Sequence, residues 1–341
     1  MADLDPERLR ERTEAAAHRW RPDASVGSIE ELTGGSSSLT YTTTIRAGDD
    51  GERDVVLKLA PPGLAPVRNR DVLRQARLLR ALEGADGVRV PTVLFDDAGD
   101  PPDEPPFFAM PFVGGDCFEP ILQAGPQPEP DDVIRARELA AARMLAKLHA
   151  VDPATVGLGD EPALTLEDEI ARWVRAFGTV EEGLRTGYER AAELLGATIP
   201  PALPPVVNHG DYRLGNMLCQ GNEIAAIIDW EIWALQDPRV DLGWFLLFTN
   251  EAQHPSAAGN PPAPGVPSPE ELMAVYVETR GEPLPDFAWF EALIRFKEAS
   301  ASALLTKRAM KAGIDDPDRL VTPVLKLIEQ TIEQLEPWVK P

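Results

Sequence analysis

The chain has 341 residues, 43% of them hydrophobic and 26% charged, and a formal net charge of −23 at pH 7. That length allows a sizeable core and suits one large two-lobed domain or two ordinary ones, and the composition is globular rather than disordered or membrane-like. So large an excess of carboxylates opposes binding to phosphate backbones, which removes nucleic acid from the expected partners, and leaves either an acidic surface that draws in cationic substrates or one that is simply well solvated.

The N-terminal stretch "MADLDPERLRERTEAAAHRW" reads as an amphipathic helix, not as a secretory signal, so the expected location is cytoplasmic. "SIEELTGGSSSLTYTTTIRAG" reads as two β-rich runs around "GGSSS", and "ERDVVLKLA" as a third strand. "VRNRDVLRQARLLRALEG" carries apolar residues at helical spacing and stops at Gly84. "VRVPTVLFDD" and "PFFAMPFVGGD" give two more short strands, separated by a turn-rich segment. From Asp131 the pattern is helical through "DDVIRARELAAARMLAKLHAV", "TLEDEIARWVRAFG" and "EEGLRTGYERAAELLG". Helices resume at "SPEELMAVYVETRG", "FAWFEALIRFKEASASALLTKRAM" and "DRLVTPVLKLIEQTIEQLEPW". The Pro-rich 254–270 segment reads as a lid or a plain surface connection. The expected architecture is α+β, with a small sheet-bearing lobe over 1–106, a hinge over 107–115 and a large, mostly helical lobe over 116–341. Apolar runs such as "WFLLF" are too short to cross a bilayer, so no membrane partner is expected. Cys117 and Cys219 are too few for a disulfide framework and are read as buried thiols.

Lys58 stands out because the chain has seven lysines against 26 arginines, and none of the others precedes Lys147. Inside an apolar strand, an ammonium needs an anion unless it snorkels from an edge. The upstream "GGSSS" loop, Gly34, Gly35, Ser36, Ser37 and Ser38, could offer backbone N–H groups and hydroxyls to a phosphate, or be only a hairpin turn. More specific is "HGDYRLGNML": Asp211 precedes Asn216 by the interval found in kinase catalytic loops, where the aspartate accepts a hydroxyl proton and the asparagine holds Mg²⁺. "EIAAIID" then reads as a strand ending at Asp229, a second oxygen ligand for a hard cation.

"HGDYRLGNML", "IIDWE" and "DPRVDLGW" together resemble the aminoglycoside phosphotransferase family, from about Ile29 to the last helices. The resemblance implies a protein kinase-like two-lobed fold and transfer of the γ-phosphoryl group of ATP or GTP to a small-molecule hydroxyl. It makes Asp211 the catalytic base, Asn216 and Asp229 ligands of Mg²⁺, and Lys58 a contact of the α- and β-phosphates. It also places the adenine against backbone groups from Met110 to Phe112. Arg213 is expected at the γ-phosphate, with a structural ion pair as the alternative. His209, Asp237 and Asp241 are expected to brace the catalytic half, and His149 to close its helix. One departure is Gln75, which stands where the family's helix supplies a glutamate for the lysine; Asp71 is the nearby carboxylate on that face. The motifs look closest to the kinase-like domains associated with acyl-CoA dehydrogenases, which implies a hydroxy acid or hydroxyacyl thioester as acceptor, with Glu231 as the local hint. An antibiotic kinase, a nucleotide-binding pseudokinase and a metal-dependent phosphohydrolase are the alternatives, and the chain is expected to act as a monomer or a homodimer.

Overall fold

The computed structural model describes residues 5–32, 38–48, 51–313 and 317–339. They form two compact units, the first comprising Met1–Cys117, Ala154–Gly159 and Asn216–Trp233, the second Phe118–Pro153, Asp160–Gly215 and Ala234–Pro341.

The first unit opens with α1 (Pro6–Trp20), started by Asp5, whose carboxylate accepts the Glu7 N–H, and by Pro6 at the first helical position. Its sheet contains β1 (Ser25–Val26), β2 (Glu30–Glu31), β3 (Leu39–Arg46), β4 (Glu52–Leu59), β5 (Phe95–Asp97) and β6 (Phe107–Pro111). All pairings are antiparallel, in the order β1–β3–β4–β6–β5, with β2 also on β3. β4 lies between two partners, and Val55, Val56, Leu57 and Leu59 are buried there, as expected for a strand covered on both faces. β5 is shorter than the run "VRVPTVLFDD" promised, because Pro91 cannot donate to a ladder. α2 (Val72–Leu82) buries Val72, Ala76, Leu79 and Leu82, the stripe read from the sequence, and packs near β6. Strands β8 (Met217–Gln220) and β9 (Glu223–Ile227) form an antiparallel hairpin in the same unit.

The second unit is helical: α3 (Asp131–Leu148), α4 (Leu166–Phe177), α5 (Tyr188–Ala197), α6 (Pro238–Leu247), α7 (Pro269–Arg280), α8 (Phe287–Lys311) and α9 (Pro317–Val339), with a small antiparallel pair β7 (Val206–Asn208) and β10 (Ala234–Gln236). Trp289, Phe290, Leu293 and Phe296 of α8 lie at the centre of its core beside Phe177, Leu195 and Trp244. Three expectations are corrected. The helix "EEGLRTGYERAAELLG" begins only at Tyr188, because Gly187 adopts φ 86°, which breaks a right-handed run. α6 was not read as a helix at all: every one of its residues is buried, so it has no polar face to produce a 3.6-residue pattern. Within the 254–270 segment Ala257 and Ala263 pack on Ile121 and Asn260 Nδ2 donates to the Ile121 carbonyl, so the connection is anchored on the second unit at those points. Cys219 is buried as expected, whereas Cys117 is exposed: it follows Asp116, which pairs with Cys219 at the end of an open, extended stretch.

Candidate active site

In the first unit, Lys58 sits on β4 opposite Thr40 and Phe108, and its side chain is 16% exposed. Its Nζ stands 3.7 Å from Asp229 Oδ1. Asp229 lies just past β9 at φ 67°, a left-handed conformation that non-glycine residues seldom adopt and that Asp tolerates better than most. That turn lifts its carboxylate off the strand line and leaves it 40% exposed. Beside it, the Asn216 carbonyl accepts the Ile228 N–H at 2.9 Å, so Asn216 continues the β8–β9 pairing and flanks Asp229. Lys58, Asp229 and Asn216 thus belong to one unit, with the Asn216 backbone next to that of Asp229, and a carboxylate and a carboxamide are oxygen donors of the kind that suits a hard divalent cation.

The groups expected to support Lys58 have other positions. Asp71 caps α2 by accepting the Arg74 N–H at 3.0 Å. Gln75 is buried, and its Nε2 has no hydrogen-bond partner among the described residues. Ser38 Oγ is likewise buried and unpartnered among the described residues, while Gly34, Gly35, Ser36 and Ser37 lie outside them. Strand phase sorts the backbone groups of the hinge into two directions. The Phe112 N–H donates to Asp54 O and the Ala60 N–H to Pro106 O, with Val56 opposite Met110. Antiparallel hydrogen bonding alternates with a period of two. The backbone groups of Met110 and Phe112 therefore face β4, and Pro111, with Val113 next in phase, faces the other way.

In the second unit, Asp211 follows Gly210, whose φ of 88° favours glycine. Asp241 at the start of α6 holds this turn: its carboxylate accepts the N–H groups of His209 at 2.5 Å and of Gly210 at 2.8 Å. His209 Nδ1 accepts the Asp211 N–H at 3.2 Å, and Tyr212, fully buried, donates to the Ala141 carbonyl. Asp237 caps α6 and chelates Arg239, and His149 Nδ1 meets the Tyr276 hydroxyl at 2.7 Å, so these residues brace the loop and its neighbours. Asp211 Oδ1 accepts Trp244 Nε1–H at 2.7 Å and Arg213 Nε–H at 3.2 Å. Arg213 also stands 3.6 Å from Glu119 Oε2 and lies over the Phe248 ring, so the ion-pair alternative is the one occupied.

Charge in this unit is strongly tuned by burial. Desolvation pushes the Glu119 carboxyl up, against the opposing pull of Arg213 and the Gly215 N–H. Burial works against the charge of Arg213, but Asp211 and Glu119 outweigh it and raise its pKa. Burial also takes Glu298 up to about 7, although Ser302 donates to it, and His254 down to about 4 with the Arg213 charge adding to the effect. Trp244, Glu119 and Glu298 were not read as site residues. Trp244 carried the clearest missed signal, since a buried indole needs an acceptor for its N–H.

The sequence profile described as the phosphotransferase enzyme family matches residues 28–274. The chain belongs to this family. That membership makes it a small-molecule kinase, and the likeness extends beyond the motifs. Over 84% of its length it is 26% identical to acyl-CoA dehydrogenase family member 10 of Mus musculus, of which it covers 27%. It spans only about a third of the length of such curated relatives. A crystal structure from Ralstonia eutropha superposes with a TM-score of 0.74 at 21% identity, covering 98% of this chain and 99% of that one. The GDP and kanamycin complex of APH(2″)-IIIa gives 0.60 at 17% identity, covering 93% and 97%. These structural likenesses establish a kinase-like fold, with an antiparallel sheet in the N-terminal region and a helical C-terminal part. Among the described residues no helix is long and apolar enough to cross a membrane.

Proposed function

We propose that the chain moves the γ-phosphoryl group of ATP or GTP to the hydroxyl of a small hydroxy acid or its acyl thioester. The observation that carries this reading is the set formed by Lys58, Asp229 and Asn216, a lysine 3.7 Å from a carboxylate, with the Asn216 backbone bonded to the residue preceding that carboxylate. Asn216 and Asp229 would hold Mg²⁺, which when bound supplies positive charge to the phosphates. Lys58 binds α- and β-phosphate oxygens, and the nucleobase expected against the stretch from Met110 to Phe112 meets the Pro111 carbonyl and the adjacent Val113 N–H. Asp211 hydrogen-bonds the acceptor hydroxyl and takes its proton as the new P–O bond forms and the bond to the β,γ-bridging oxygen breaks, releasing the nucleoside diphosphate. Arg213 leaves its carboxylates to meet the γ-phosphate, where a guanidinium can pair two oxygens at once.

The acceptor class is supported by the likeness to a protein of the acyl-CoA dehydrogenase family. A second reading, an antibiotic kinase, is supported by kanamycin in a structural neighbour and by the acidic charge of the chain, which attracts cationic acceptors. ADP release from Mg²⁺-ATP, screened against hydroxyacyl thioesters, hydroxy acids, aminoglycosides and macrolides, separates the two. Turnover with hydroxyacyl compounds supports the first reading. Turnover restricted to antibiotics replaces it, and nucleotide binding with no turnover on any acceptor returns the pseudokinase.

A further inference from the structure

We infer that Trp244, held by Lys297, is a positioning residue for Asp211, an inference that rests on reading Asp211 as the base. The two donors on Asp211 Oδ1 differ in stiffness. Arg213 reaches it along a flexible side chain that is 26% exposed and shared with Glu119. Trp244 reaches it with a rigid ring on the wholly buried α6, at 2.7 Å, a short distance for N–H···O and typical of a charged acceptor.

Lys297 of α8 ties that ring to the loop. Its side chain is buried, its Nζ stands 3.9 Å from the centroid of the Trp244 ring, and it donates to the Gly210 carbonyl at 2.6 Å. One ammonium therefore grips both the residue preceding Asp211 and the ring bonded to Asp211. Burial pushes the Lys297 pKa down, against the fields of Glu169, Asp241 and Asp211 and with that of Arg172. Apolar packing alone would be met by Phe at 244 and Met at 297, without an indole N–H to satisfy or an ammonium to desolvate. What these two residues add is direction: the indole fixes the rotation of the carboxylate about its Cβ–Cγ bond and thereby sets the direction in which Oδ2, which Arg213 Nε–H also reaches at 3.4 Å, can receive the hydroxyl proton. The glycine carbonyl bond fixes the backbone from which that carboxylate hangs.

The test uses the full chain. Turnover is followed as ADP release from Mg²⁺-ATP with the most active hydroxyl compound of the acceptor screen, or with water where none is active. Trp244→Phe is expected to lower kcat about 10- to 100-fold, the worth of one charge-assisted hydrogen bond, with the nucleotide Kd changed less than about twofold. Lys297→Met is expected to lower kcat in the same direction by about 10-fold. A two-dimensional ¹H–¹⁵N spectrum of the indole groups supplies the readout that mere packing would not move: Asp211→Asn shifts one Trp Nε1–H resonance upfield, the same one that Trp244→Phe deletes. Wild-type kcat in Trp244→Phe, or no indole resonance displaced by Asp211→Asn, overturns the inference. Should Trp244→Phe fail to fold, the Lys297→Met rate and the Asp211→Asn spectrum decide it. Unchanged turnover in Asp211→Asn removes the base itself, whereas an inactive Asp211→Asn beside a fully active Trp244→Phe removes only the positioning role.

Discussion

Lys58 and Asp229 in the first unit face one another across 3.7 Å with 16% and 40% of their side chains exposed, while Asp211 in the second carries two side-chain donors and hangs from a turn bonded twice to a buried carboxylate. The loose pair has spare capacity: an ammonium and a carboxylate this far apart exchange little energy in partial contact with water, which leaves both available to phosphate and metal. The tight set is over-determined, as suits the proposed base, whose work would depend on aim. A residue that recruits its partner from solution is left open, and one that must be oriented beforehand is clamped from several sides.

The largest expected effect breaks the clamped side at its centre. Asp211→Asn keeps the shape but loses the proton acceptor, so kcat falls by about 10²- to 10⁴-fold while the Mg²⁺-nucleotide Kd stays close to wild type in calorimetric titration. Asp241→Ala attacks the clamp through its support: it leaves the His209 and Gly210 N–H groups without their acceptor, and thermal or urea unfolding should register a loss of about 2–5 kcal/mol. On the open side, Asp229→Ala should cost little stability yet weaken Mg²⁺-nucleotide binding by about 10- to 100-fold, a change of roughly 1–3 kcal/mol; unchanged affinity would remove it from the metal site.

The smallest effect is in the pH profile of stability. Glu298 is raised by burial from 4.5 to about 7, so between those values the native state binds more protons than the unfolded chain, and its contribution to stability is lost as pH rises. Glu298→Gln cannot ionise, and the fall in stability from pH 5 to pH 8 should be shallower than in the wild type by about 2 kcal/mol. His254 has the opposite sign: with its pKa near 4, below the ordinary 6.5, its contribution is lost as pH falls through that window, so acid conditions should leave a residual slope in the Glu298 variant.

How far the sequence carried depends on whether a residue announces its chemistry locally. Asp211, Asn216 and Asp229 fall at intervals fixed by a loop and a hairpin, and Lys58 was visible through the scarcity of lysine. The same scarcity applied to Lys297, yet it sits in a 25-residue helix whose pattern otherwise reads as packing, and its partners Gly210 and Trp244 are 87 and 53 positions away. Trp244 was hidden for a related reason, since α6 is buried on all sides and shows no periodicity to mark which face each residue occupies. The hinge segment was read from the sequence but the direction of its backbone groups was not, because a one-residue offset exchanges the two directions and only the pairing with β4 fixes it.

The sequence by itself determined the family and the reaction class and singled out the four side chains of the proposed site, because each of those follows from residue type at short, regular spacing. The tertiary structure alone decided which carboxylate holds which backbone, that Arg213 rests between Asp211 and Glu119, that Cys117 is exposed, and that a tryptophan and a lysine from different helices converge on the proposed base. Those are contacts between residues distant along the chain, fixed by burial and the need to satisfy buried polar groups, and no local pattern encodes them.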